Sequence, residues 1–250
     1  MITDPQGTIL ALFLCFCRIG GCVMTLPGFG SSRIPQQIKL LTAIALSMAV
    51  LPVLWDMIYP KASAPGATFI GLIFTEALVG MVYGLIARLY TLGLQYAGTI
   101  TAMSIGFTAP GGADVIEDTQ ENALTNILTL SGLLLLFMMD FHHLVFRALV
   151  DSYNATPVGA IVDPQKMLIT LTDTLRASTM IMLRLASPFL ILGLMFNVGI
   201  GLINKLAPQI PIFFISAPFL IMGGLFMMYL SIAALIRQYA GGFAPIFTSF

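Results

Sequence analysis

The sequence predicts an all-α membrane protein of about six long, bent or broken helices. Three observations lead there. The 250 residues are 58% hydrophobic and 9% charged, with mean hydropathy +0.97, whereas a soluble domain carries about 25% charge. Too little charge is present to cover a water-facing surface of this size. The apolar residues also fall into runs of roughly 20 or more, the length a helix needs to cross hydrocarbon. Finally, Gly and Pro clusters punctuate those runs. Eleven basic and eleven acidic residues cancel, so nothing suggests nucleic acid or a polybasic lipid-binding patch.

The first predicted span is Thr8–Leu26, stopped by Pro27, Gly28, Gly30 and Pro35. The second is Ile38–Met57, with Pro52 as a kink or late break. Tyr59–Gly66, YPKASAPG, reads as turn material. Thr68–Phe107 has no strong breaker. As straight helix it would run roughly 60 Å, about twice the hydrocarbon thickness. It must turn back near Gln95–Gly98 or protrude well beyond a bilayer. Ala123–Tyr153 follows a polar island and is closed by the extended connector NATPVGAIVDP. Thr174–Leu206 is another overlong helix, bent at Pro188. The turn Ala207–Pro211 separates it from Ile212–Ile236 and a short tail, RQYAGGFAPIFTSF. Arg33, Lys39, Lys61, Lys166 and Arg176 are spread over the loops with almost no bias, so the positive-inside rule sets no orientation. A protein assembled in a complex need not keep its helices at ordinary depth.

The polar island is Ser104–Asn122, SIGFTAPGGADVIEDTQEN. Asp114, Glu117, Asp118 and Glu121 lie within eight residues, with no basic residue among them. An unpaired irregular backbone is excluded from hydrocarbon, where each unsatisfied group costs several kcal/mol. The island therefore belongs in water, in a headgroup layer or against protein.

Ionisable groups inside apolar runs are costly and invite a functional reading. Glu76, Gly80, Gly84 and Arg88 recur every four residues and form one helical stripe. Its glycines make a GxxxG surface for close helix approach. Gly193, Asn197, Gly201 and Lys205 repeat that spacing, and Asp140, His143, Arg147 and Asp151 make a third stripe. A proton or ion relay is one reading; interhelical packing with charges neutralised in pairs is the other. Packing is preferred, because no stripe concentrates two carboxylates at one depth.

Cys15, Cys17 and Cys22 share the first run with no other cysteine to pair with. Their helical spacing does not converge on a metal, so they read as small apolar fillers. His142 and His143 suggest a metal pair, but adjacent helix residues diverge by about 100°, and no metal site is expected. No GxSxG, Walker loop or HExxH occurs, so neither an enzyme nor a cofactor site is expected.

The stretch Asn197–Phe214, NVGIGLINKLAPQIPIFF, resembles the FliR family of flagellar export proteins, called SctT in injectisomes. The matching positions are Asn197, Gly201, Leu202, Asn204, Lys205, Ala207, Pro208 and Gln209. A second match is Asp140–His143 with Arg147, Ala148, Leu149, Pro157 and Gly159; the family places Asn-Gly before its histidines, where this chain has Asp140–Phe141. A third is Arg18, Pro27, Arg33–Pro35 and Lys39. The resemblance covers nearly the whole length.

The resemblance implies a single export-gate domain over residues 1–250. Residues 1–173 would be FliP-like, including a plug loop at 104–122, and 174–250 a FliQ-like hairpin and tail. Its helices would be tilted hairpins in a channel completed with FliP- and FliQ-like subunits, raised partly out of the bilayer. An FlhB-like switch protein, unfolded export substrates and membrane lipid would be its further partners. Ile105, Gly106, Phe107, Pro110, Gly111, Gly112, Asp114, Glu117, Asp118 and Glu121 would form the plug. Glu76, Gly80, Gly84, Arg88, Asn197, Gly201, Asn204, Lys205, Pro208 and Gln209 would serve helix packing or subunit contacts. The site would be the bacterial inner membrane at the flagellar basal body. The alternative is a secondary transporter of a small solute, hinted at by bends at Pro52 and Pro188 but without an internal repeat. A membrane scaffold without conductance is a third.

Overall fold

A computed structural model describes residues 4–30, 34–63, 66–107, 122–160, 163–209 and 212–243. Among them lie eight α-helices and no strand. These are α1 (Pro5–Thr25), α2 (Gln36–Val50), α3 (Trp55–Ala62), α4 (Gly66–Ser104), α5 (Ala123–Met138), α6 (Phe141–Ala155), α7 (Pro164–Leu206) and α8 (Ile212–Gly241). Four are long and apolar enough to cross a membrane, and up to six spans result if each broken pair counts as one. The chain is an all-α membrane protein.

Several boundaries differ from the sequence reading, each for a local reason. Pro52 does break the second run: α2 and α3 diverge by 107° across Leu51–Leu54. The supposed turn at Tyr59 is instead the second half of α3. Pro60 sits inside that helix, and the Trp55 and Tyr59 rings stack at 4.6 Å one turn apart. No reversal occurs at Gln95–Gly98; α4 is one helix of 39 residues, about 58 Å long. The run after the island is two helices, because Asp140 takes a left-handed conformation (φ 57°) that ends one and caps the next. Asp is among the few non-glycine residues that tolerate this region. The connector before α7 is shorter than expected, since that helix already starts at Pro164, a residue suited to a first turn.

The described residues fall into two compact units. The first takes its residues from 1–90 and 140–175, the second from 91–139 and 176–243.

In the first unit α1 packs on α2 and α3. Asp4 caps α1: its Oδ1 accepts from the Gly7 amide at 3.1 Å, and its Oδ2 accepts from the Tyr59 hydroxyl at 3.2 Å. The cap thus also ties α3 to the start of α1. Helix α6 is amphipathic. Phe141, Val145, Leu149 and Tyr153 are buried at four-residue spacing, while His143, Arg147 and Asp151 face outward. Helices α1 and α4 approach through glycines: a side chain at Gly80 would run into the Arg18 carbonyl, one at Gly84 into Thr25, and one at Gly21 into the Ala77 carbonyl. Replacing Gly80 with Leu is therefore expected to destabilise the chain by about 1–3 kcal/mol or more. Gly201→Leu, where a Cβ meets nothing within 4 Å, should leave stability unchanged. Thermal unfolding of the detergent-solubilised chain compares the two.

In the second unit the core is Ala102 and Ile105 of the α4 end, Leu124 and Leu128 of α5, Phe189 of α7 and Met228 of α8. Helix α5 lies on α8. Gly193 lets α7 approach the Ser104 carbonyl at the end of α4.

Candidate functional site

A deeply buried polar cluster lies in the first unit and is built on Arg18. This is the lone charge within α1, and it is 1% exposed. Its Nε donates to Glu76 Oε2 at 2.7 Å and its Nη2 to Glu76 Oε1 at 2.9 Å, the two-pronged geometry a guanidinium makes with a carboxylate. Nη1 donates to Ser152 Oγ at 3.0 Å and Nη2 also to the Thr156 carbonyl at 3.0 Å. The guanidinium lies 3.8 Å from the centroid of the Tyr153 ring. The Ser152 hydroxyl in turn donates to the Leu149 carbonyl. One side chain on α1 thereby binds α4 and the end of α6. Satisfying nearly every donor is what makes so deep a charge tolerable.

Sequence reasoning placed Glu76 on a packing stripe and Arg18 in a family pattern, without joining them. The available signal was that α1 carries one cation, and the first half of α4 one anion, in otherwise apolar runs. Of the stripe on α4, Glu76, Gly80 and Gly84 are covered by α1 of the same chain, whereas Arg88 is exposed.

The ends of the polar island lie in the second unit. Ile105 is fully buried in its core, and Phe107 packs at the edge of that core. Gly106 turns the chain with φ 70°, a conformation that suits glycine. Asn122 then closes the segment. Its Nδ2 donates to the Phe107 carbonyl at 2.9 Å, and its Oδ1 accepts from the Leu124 amide at 3.5 Å as the cap of α5. Residues 107 and 122 are therefore stapled together. Pro110, Gly111, Gly112, Asp114, Glu117, Asp118 and Glu121 lie outside the described residues.

The C-terminal half of α7 and most of α8 form a third feature of the second unit. Asn197, Gly201, Asn204, Lys205, Pro208 and Gln209 are all exposed. They share that surface with Leu202, Ile203, Leu206 at 85% exposure, Phe213, Phe214 at 79%, Phe219 and Phe226. Only 17% of the best apolar window of α7 and 11% of that of α8 is buried within the chain.

Comparison with known proteins gives the family of the chain. Residues 9–245 match the family described as bacterial export proteins, family 1. The chain belongs to that family. Similar proteins carry the name flagellar biosynthetic protein FliR. The one from Caulobacter vibrioides is 29% identical over 222 residues, covering 89% of this chain and 88% of the relative. That from Aquifex aeolicus is 27% identical over 251 residues, covering 97% and 93%. That from Escherichia coli is 26% identical over 216 residues, covering 84% and 80%. The family is thus the FliR family of the flagellar export apparatus, and this FliR-family chain, with its apolar helices, is a membrane component of it.

Proposed function

We propose that this chain is a non-enzymatic subunit of the flagellar type III export gate in the bacterial inner membrane at the basal body. It completes a helical channel with FliP- and FliQ-like subunits, and an FlhB-like protein docks on the assembly. The island at 104–122 acts as a plug that clears for unfolded export substrates. Energy for transport comes from the partners.

The observation that carries this reading is the uncovered surface of α7 and α8. Lipid would suit its leucines and phenylalanines, but not Asn197, more than two turns inside the end of the same helix. Polar groups at membrane depth need protein partners. Gly201 also offers an open, side-chain-free patch, the kind of surface against which another helix backbone can lie closely.

Photoreactive amino acids at Leu202, Leu206 and Phe214 in living cells test the reading. We expect crosslinks to two small membrane proteins of the same apparatus, the FliP- and FliQ-like subunits. Lipid adducts at every position around both helices, with no protein adduct, would overturn it.

A further inference from the structure

We propose that Asp140, His142 and His143, at the start of α6 in the first unit, form a binding site for a divalent transition metal of the zinc class. Each residue offers one ligand atom, and the three atoms lie within 4.8 Å of one another. Asp140 Oδ1 and His143 Nδ1 are already 3.5 Å apart. Two ligands at about 2.0–2.2 Å from one ion sit roughly 3–3.5 Å from each other. Bringing atoms that lie up to 4.8 Å apart to that spacing takes side-chain shifts of about an ångström. Asp140 and His143 are well exposed and able to make them, with side chains 71% and 74% accessible.

Helical divergence argues against two adjacent histidines sharing an ion, but it describes Cα–Cβ directions only. Here the two imidazoles lie close together, with centroids 4.2 Å apart and planes at 38°. Phe141, 2% exposed, anchors the turn and holds the His142 ring edge-on at 6.1 Å. The left-handed backbone at Asp140 places a carboxylate at the cap immediately before both rings. Two imidazoles and one carboxylate are a borderline donor set that suits zinc, nickel and cobalt and is too nitrogen-rich for calcium or magnesium. Three protein ligands leave at least one coordination position for water. The competing reading is a plain Asp140–His143 ion pair capping α6, which gives His142 no part.

Cobalt(II) titration of the full-length chain in detergent, purified without a histidine tag and stripped with chelator, separates the two. We expect one cobalt per chain with ligand-field absorption bands, displaced by zinc. His142→Ala and His143→Ala should each weaken binding by about tenfold or more, with helical content unchanged. Absence of the bands overturns the site, as does equal cobalt binding by the His142→Ala, His143→Ala double variant.

Discussion

Replacing Arg18 with Ala is expected to cost about 3–5 kcal/mol of stability, the usual penalty for stranding a buried charge. The substitution removes the bidentate partner of Glu76 and the donors to Ser152 Oγ and the Thr156 carbonyl. Glu76 is itself 1% exposed, so water does not readily take over. Glu76→Ala strands the guanidinium instead and should cost a similar amount. Arg18→Lys is not a rescue, because an ammonium cannot reproduce the planar fork. Combining Arg18→Met with Glu76→Leu should recover a large part of the loss, since both polar groups leave together and the volume stays filled. With Arg18→Met and Glu76→Leu also measured singly, the melting transitions of the parent, these two singles and their double form a double-mutant cycle in detergent. An Arg18→Ala chain that melts with the parent would show that the pair holds nothing together.

That pair also marks how far the sequence could be read. The presence of helices was legible because length and hydropathy suffice for it: α1, α4, α7 and α8 lie where uninterrupted apolar runs lie. The break after α2 was legible from Pro52, a residue that removes a donor and fixes φ. The break before α6 was not. It rests on Asp140 taking φ 57°, and nothing in the string FMMDFHH distinguishes that aspartate from a helical one. Pro60 misled in the opposite direction: it lies two residues before the end of the eight-residue α3, where its missing N–H costs the helix only one of its last bonds.

The candidate site shows the same division. The four-residue spacing of Glu76, Gly80 and Gly84 placed them on one face, but spacing is silent on which helix covers that face. The cover is α1, 58 residues away in sequence by the Arg18–Glu76 bond. On α7 the same spacing of Asn197, Gly201 and Lys205 is left uncovered within the chain. The two stripes therefore fare differently: α1 covers Glu76, Gly80 and Gly84 but not Arg88, whereas only Gly193 of the second stripe is covered. The difference lies in tertiary context, which a periodicity does not encode.

Excising residues 108–121 and bridging the gap with a short Gly-Ser linker is expected to leave the chain folded and the export complex assembled, while the membrane leaks small ions. The structural half of this expectation follows from the staple. Phe107 and Asn122 are already joined at 2.9 Å, and Ile105 and Leu124 on either side are both core residues. Shortening the closed loop changes its entropy only slightly, since that cost grows with the logarithm of length. A deletion reaching back into Gly106 or Phe107 would confound the result, because it removes a positive-φ glycine and a residue packed on the core. The functional half follows from the proposed plug. The excised segment carries Asp114, Glu117, Asp118 and Glu121, and a quadruple Asn/Gln replacement isolates their charge from the segment's bulk. Leakage on excision but not on neutralisation would assign the seal to volume, and leakage on both to electrostatic contact with the channel wall. Conductance unchanged by excision, with the complex intact, removes the plug reading altogether. Loss of the complex would instead make the segment an assembly element.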